Sequence, residues 1–99
     1  MSDMLQIEMN EKGNIVLSGR FDASQVDKAK RVFTNISTSS TVDFKDLEYI
    51  SSAGLGVLLF TQKRLNESGN SLKLINMNKH IQDVFRYAGF HMIFEIESE

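Results

Sequence analysis

The sequence contains no cysteine and no proline. Without cysteine there is no disulfide framework, no thiolate zinc site and no thiol nucleophile, and a reducing compartment suits the chain. Without proline, glycines and Asx residues are the only punctuation between regular elements. Long apolar runs are missing too. The longest, Val57 to Phe60, falls far short of the roughly 20 residues a membrane helix needs. Met1-Ser2-Asp3-Met4 shows no basic stretch leading into an apolar core, so neither insertion nor export is expected, and the expected location is the cytoplasm. Cations are not in excess either: 11 Lys and Arg stand against 13 Asp and Glu, for a net charge of -2, and they are dispersed along the chain. That distribution offers no basic stripe to neutralise a phosphate backbone, so nucleic acid is not an expected partner.

What remains is a chain of 99 residues, 41% hydrophobic, enough for one domain with one core and too little for two. The whole of 1–99 is therefore read as a single domain. Leu5, Ile7 and Met9 alternate with polar neighbours, Lys12-Gly13-Asn14 supplies a turn, and Ile15 to Leu17 resume an apolar run, which together predict an antiparallel hairpin. After Gly19 the period lengthens. Asp22 followed by Gln25 resembles a capping box, and Val26, Ala29, Val32, Phe33 and Ile36 recur at three and four, predicting a helix to about Ser37. Thr41 to Phe44 reads as a short buried strand ended by the charged pair Lys45-Asp46.

From Ala53 to about Asn66, Leu55, Leu58, Leu59, Gln62 and Leu65 share one helical face, and Ser68-Gly69-Asn70 closes that helix with a left-handed residue at Gly69. Leu72 to Ile75 is a further strand. Asn78 is placed to cap a third helix with a stripe of Ile81, Val84, Phe85 and Ala88, ending at Gly89, and a last strand is expected over Met92 to Ile96. The order β-β-α-β-α-β-α-β predicts an α/β fold: a mixed sheet of four to five strands with helices packed on it.

The segment richest in functional content is Val42 to Leu59, a strand, a short loop and two serines, Ser51 and Ser52, at the mouth of a helix. The first turn of a helix leaves up to four amides without intrahelical partners at the positive end of the macrodipole, a place that tolerates a phosphate. Gly54 and Gly56 stand in that first turn although each costs about 1 kcal/mol relative to alanine. Two explanations are open. The helix start packs closely on the sheet, or the missing side chains let another protein reach the serine. Ser52 is itself a candidate N-cap, with Ser51 a loop hydroxyl or alternative cap, and Asp22 has a capping role that suffices by itself.

Asp46-Leu47 followed by Ser51-Ser52-Ala53-Gly54-Leu55 resembles the signature of STAS domains of the anti-sigma-factor antagonist type, and Gly19-Arg20-Phe21-Asp22 resembles that family's Gly-x-x-Asp corner. The resemblance extends over essentially the whole chain. It implies a partner-switching cycle in which the unphosphorylated protein binds an anti-sigma factor that is also a serine kinase, frees the sigma factor, and loses binding on phosphorylation. By position, the acceptor falls on Ser52, with Ser51 the second choice because the family usually has Asp there. The implied partner-binding patch is Asp22, Ser51, Ser52, Ala53, Gly54, Gly56 and Val57.

A serine phosphatase is a further candidate partner, no cofactor is implied, and the free chain is expected to be a monomer. The alternative within the same family is an accessory or scaffold subunit of a lipid transporter or signalling complex. An enzyme is not expected: there is no nucleophile elbow, no Gly-x-x-x-x-Gly-Lys loop, and no motif around any carboxylate pair. His80 and His91 stand alone, without ligands at metal spacing, so no metal is expected either. Phe85, Tyr87, Phe90, Val57 and Phe60 divide between core and surface in a way that period alone leaves open.

Overall fold

Alternation and turn chemistry at the N-terminal end produce the expected hairpin. In the computed structural model, which describes residues 4–98, β1 (Gln6–Met9) pairs antiparallel with β2 (Ile15–Phe21). Gly13 takes a left-handed φ of 81° in the turn between them, where a side chain would be strained. The remaining strands are β3 (Ser40–Ile50), β4 (Leu72–Ile75) and β5 (Glu95–Glu97), all parallel to β2, in the spatial order β1-β2-β3-β4-β5.

Each parallel step is bridged by a helix: α1 (Val26–Phe33), α2 (Ser52–Glu67) and α3 (Lys79–Tyr87). Because successive steps move in one direction across the sheet, right-handed crossovers bring all three helices to the same face. The core lies between that face and the helices. Leu17 and Phe21 of β2, Phe44 and Leu47 of β3 and Leu74 of β4 meet Phe33, Leu58, Leu65 and Phe85 from the helices, and the Phe85 ring stands edge-on to Phe44 with centroids 5.9 Å apart. On the other face, Arg20 lies over the Tyr49 ring, 4.3 Å from its centroid.

The structure departs from the sequence pattern in four places. The buried strand does not stop at Phe44. It continues through Lys45-Asp46 to Ile50, because two bulges absorb the charged residues: Val16 to Ser18 on β2 spans Asp43 to Asp46 on β3, and Gly19 to Arg20 spans Leu47 to Tyr49. Asp43 Oδ1 accepts from the Lys45 amide at 2.9 Å and closes the first bulge, so Lys45, Asp46 and Glu48 stay exposed while Leu47 and Ile50 remain in the core.

The first helix is also shorter than its stripe suggested. Asp22 caps a 3-10 turn, Ala23–Gln25, and Gln25 donates to the Ser24 hydroxyl instead of completing a capping box; α1 then ends at Phe33, with Ile36 packing from the following loop. The last strand begins later than expected, since Phe90–Met92 form a second 3-10 turn. The fourth departure, at the start of α2, belongs to the site.

Candidate functional site

The bulged path of β3 carries Ile50 beside Phe21 at the end of β2. One residue further the Ser51 amide donates to the Phe21 carbonyl at 2.9 Å, so the start of α2 is pinned next to the Phe21-Asp22 corner. This is how Asp22 and the serines, some thirty residues apart in sequence, become neighbours.

Ser51, and not Ser52, is the N-cap of α2. Its backbone is extended (φ -90°, ψ 170°), its Oγ accepts from the Gly54 amide at 3.2 Å, and its carbonyl accepts the first helical bond, from the Leu55 amide, at 2.9 Å. The sequence held no cue to choose between the two hydroxyls, because N3 is a glycine where a capping box would place Glu or Gln. The consequence is that Ser52 is the first helical residue, exposed, with a hydroxyl that makes no hydrogen bond among the described residues. The amides of Ser52 and Ala53 likewise have no acceptor among them.

Asp22 is half-buried, and its Oδ1 accepts from the Ser24 amide at 3.0 Å and the Ser24 hydroxyl at 2.6 Å. It is therefore committed locally while standing at the edge of the serine corner. The two glycines separate. A Cβ on Gly54 would lie 2.9 Å from Ile50 Cγ1 and 3.0 Å from Phe21 Cδ1, so close packing on the sheet requires glycine there. A Cβ on Gly56 would meet nothing within 4 Å. Of the expected patch, Ser52, Ala53 and Gly56 are exposed, Asp22 and Ser51 half-buried, and Gly54 and Val57 buried.

Of the aromatics left open by period, Phe85 is core, Phe90 packs against it, and Phe60 and Tyr87 are exposed. His80 and His91 are both exposed, and the described residues hold no group of three or more His, Cys, Asp or Glu arranged to bind a metal ion. No helix among them is long and apolar enough to cross a membrane.

Residues 6–95 match the family described as Mlab, STAS domain. The chain belongs to the STAS-domain family. This STAS chain is 38% identical over 74 residues to BtrV of Bordetella bronchiseptica, named as an anti-sigma factor antagonist, a match covering 75% of the chain and 58% of BtrV. It is 36% identical over 55 residues to the anti-sigma-B factor antagonist of Bacillus subtilis, covering 56% of the chain and 50% of that protein. The STAS chain thus spans about half the length of the curated relatives it matches.

Among solved structures it superposes on the phosphorylated form of the Bacillus cell fate determinant SpoIIAA with a TM-score of 0.68 and 20% identity, over 94% of this chain and 90% of that one. At that identity the likeness concerns the fold, and it agrees with the α/β architecture described above.

Proposed function

We propose that the chain, as a single STAS domain, is an anti-sigma-factor antagonist that works in the cytoplasm as a phosphorylation-controlled binding switch with no chemistry of its own. In this reading the unphosphorylated form binds an anti-sigma factor that is also a serine kinase and so frees the sigma factor. Phosphorylation of Ser52 ends the binding, and a serine phosphatase resets it. One observation carries the reading: Ser51 takes over the capping of α2 and leaves the Ser52 hydroxyl exposed and without a hydrogen-bond partner among the described residues.

The physical chemistry is consistent with a switch. A phosphate adds about -1.5 to -2 charges at neutral pH, and at the N-terminus of a helix with open amides this is tolerated or stabilising by about 0.3–2 kcal/mol. Its effect then falls on a docked partner, where a loss of about 3 kcal/mol weakens binding more than a hundredfold. The names of the curated relatives, both anti-sigma antagonists, support the same assignment of partner.

The test is intact-mass and fragment analysis after incubation with ATP, magnesium and the anti-sigma serine kinase of the same organism, with Ser52→Ala and Ser51→Ala alongside. A single added phosphate, lost only in Ser52→Ala, is the expected result. A phosphate lost only in Ser51→Ala would move the acceptor to the capping residue. The family description, Mlab, STAS domain, does not itself name an antagonist, and the second reading is an accessory or scaffold subunit of a lipid transporter or signalling complex. No phosphate with any such kinase, together with copurification with a transporter ATPase, would replace the switch by that role.

A further inference from the structure

Beside Ser52 runs an open groove of about 520 Å³ between α1 and α2. Phe33 and Val57 form its floor, Val26 and Lys30 its α1 wall, and Gly56 and Phe60 its α2 wall. Two features of this groove work against the stability of the free domain. Phe60 is 69% exposed, so its ring contributes little to the core. Gly56 is a glycine within a helix where nothing in the fold occupies the space of a Cβ. Alanine would make a better helix there, so the open wall calls for an explanation outside the isolated domain.

Lys30 is the one charged side chain among the residues that line the groove. The two helices carry Lys28, Lys30, Arg31, Lys63 and Arg64 against Asp27 and Glu67, that is, five of the chain's 11 cationic residues and two of its 13 acidic ones. Lys28 is held by the Leu5 carbonyl, Arg31 leans on the Asp27 carbonyl and Arg64 donates to the Phe33 carbonyl. Lys30, on the groove itself, and Lys63, three residues beyond Phe60, have no ion pair among the described residues.

From these observations we infer that the α1–α2 groove seats an acidic segment of the anti-sigma factor, apolar side chains entering between Val26, Val57 and Phe60, backbone passing close to Gly56, and carboxylates meeting Lys30. This inference rests on the switch reading above and supplies its sign. Ser52 precedes Gly56 by one helical turn, on the same side of α2, so a phosphate there stands at the mouth of the groove. The dianion that a helix N-terminus accepts repels an acidic occupant; a basic occupant would be held more tightly. Loss of binding on phosphorylation therefore follows from the character of the segment, without any change of fold.

The experiment is isothermal titration of the anti-sigma factor into wild-type protein and into Gly56→Leu, Gly56→Ala, Lys30→Glu and Tyr87→Glu, at low and high salt, with a thermal melt of each variant. Gly56→Leu and Lys30→Glu are expected to weaken binding by at least about tenfold and high salt to weaken the wild type, while Tyr87→Glu, on α3, leaves it unchanged. Gly56→Ala is expected to raise Tm by about 4 °C and still bind less tightly. Wild-type affinity in both folded Gly56→Leu and folded Lys30→Glu would overturn the groove and leave the switch standing.

Should the wild type bind no anti-sigma factor, the switch reading fails. The groove is then judged separately by amide chemical shifts on adding amphipathic peptides of about 15 residues. Shifts at Lys30, Gly56 and Phe60 with a Leu/Glu peptide alone support it; none, or equal shifts with a Leu/Lys peptide, refute it.

Discussion

At the scale of single residues, the start of α2 assigns different work to four small residues, Ser51, Ser52, Gly54 and Gly56. Ser51 caps, so Ser51→Ala is expected to cost about 1 kcal/mol in urea unfolding while phosphate incorporation at Ser52 persists. Ser52 is exposed, and Ser52→Ala is expected to change stability by no more than about 0.5 kcal/mol while removing the phosphate. Gly54→Ala gains helix propensity but drives a methyl to 2.9 Å from Ile50 and 3.0 Å from Phe21; overpacking outweighs propensity, and a net loss of about 1–2 kcal/mol is expected. Gly56→Ala, with open space around the new methyl, is expected to gain up to about 1 kcal/mol. Period and motif placed all four residues at the mouth of a helix. Which hydroxyl caps, and which glycine is obligatory, depends on what β2 and β3 put against them, and one-dimensional spacing does not carry that.

At the scale of elements, the helices are tied to the sheet by polar side chains that a hydrophobic pattern passes over. Gln62 sits on the apolar stripe of α2 and is only 3% exposed; its Oε1 accepts from the Leu72 amide at 2.7 Å and its Nε2 donates to the Ile93 carbonyl at 3.0 Å. It thereby ties α2 to the start of β4 and to the turn before β5. Gln62→Leu keeps the volume but strands a buried amide and a carbonyl, and an unfolding free energy lower by about 2–3 kcal/mol is expected. Arg64 reaches in the same way from α2 to the Phe33 carbonyl at the end of α1, at 2.9 Å. From sequence, Gln62 was legible as one member of a helical face. Its bonding was not, because both partners lie in segments that only the crossovers bring near. The long β3 was hidden for a similar reason: bulges break the period of two on which a strand is recognised, so Lys45-Asp46 looked like an ending.

At the scale of the whole molecule, the serine corner stands on one continuous core that runs from the hairpin to Phe94. A charge added at the rim of that core does not enter it. The Ser52-phosphorylated protein is therefore expected to keep its circular dichroism spectrum and to melt at or above the Tm of the unmodified form, since a stabilisation of about 1 kcal/mol raises the Tm of a domain this size by about 4–8 °C. Loss of the fold on phosphorylation would replace the interface switch by an unfolding switch. Sequence alone determined the α/β order of elements, the turn glycines Gly13 and Gly69, the Asn78 cap of α3 and the two-serine segment, because each is written in contacts within a few residues along the chain. Tertiary structure decided the rest: that Asp22 stands beside Ser51, that Ser52 is released from capping, that Gly54 is obligatory and Gly56 is not, and that a groove with Lys30 on its rim opens beside the serine. These depend on strand register and helix packing, which bring together residues far apart in the chain and set which side chains meet and which face water.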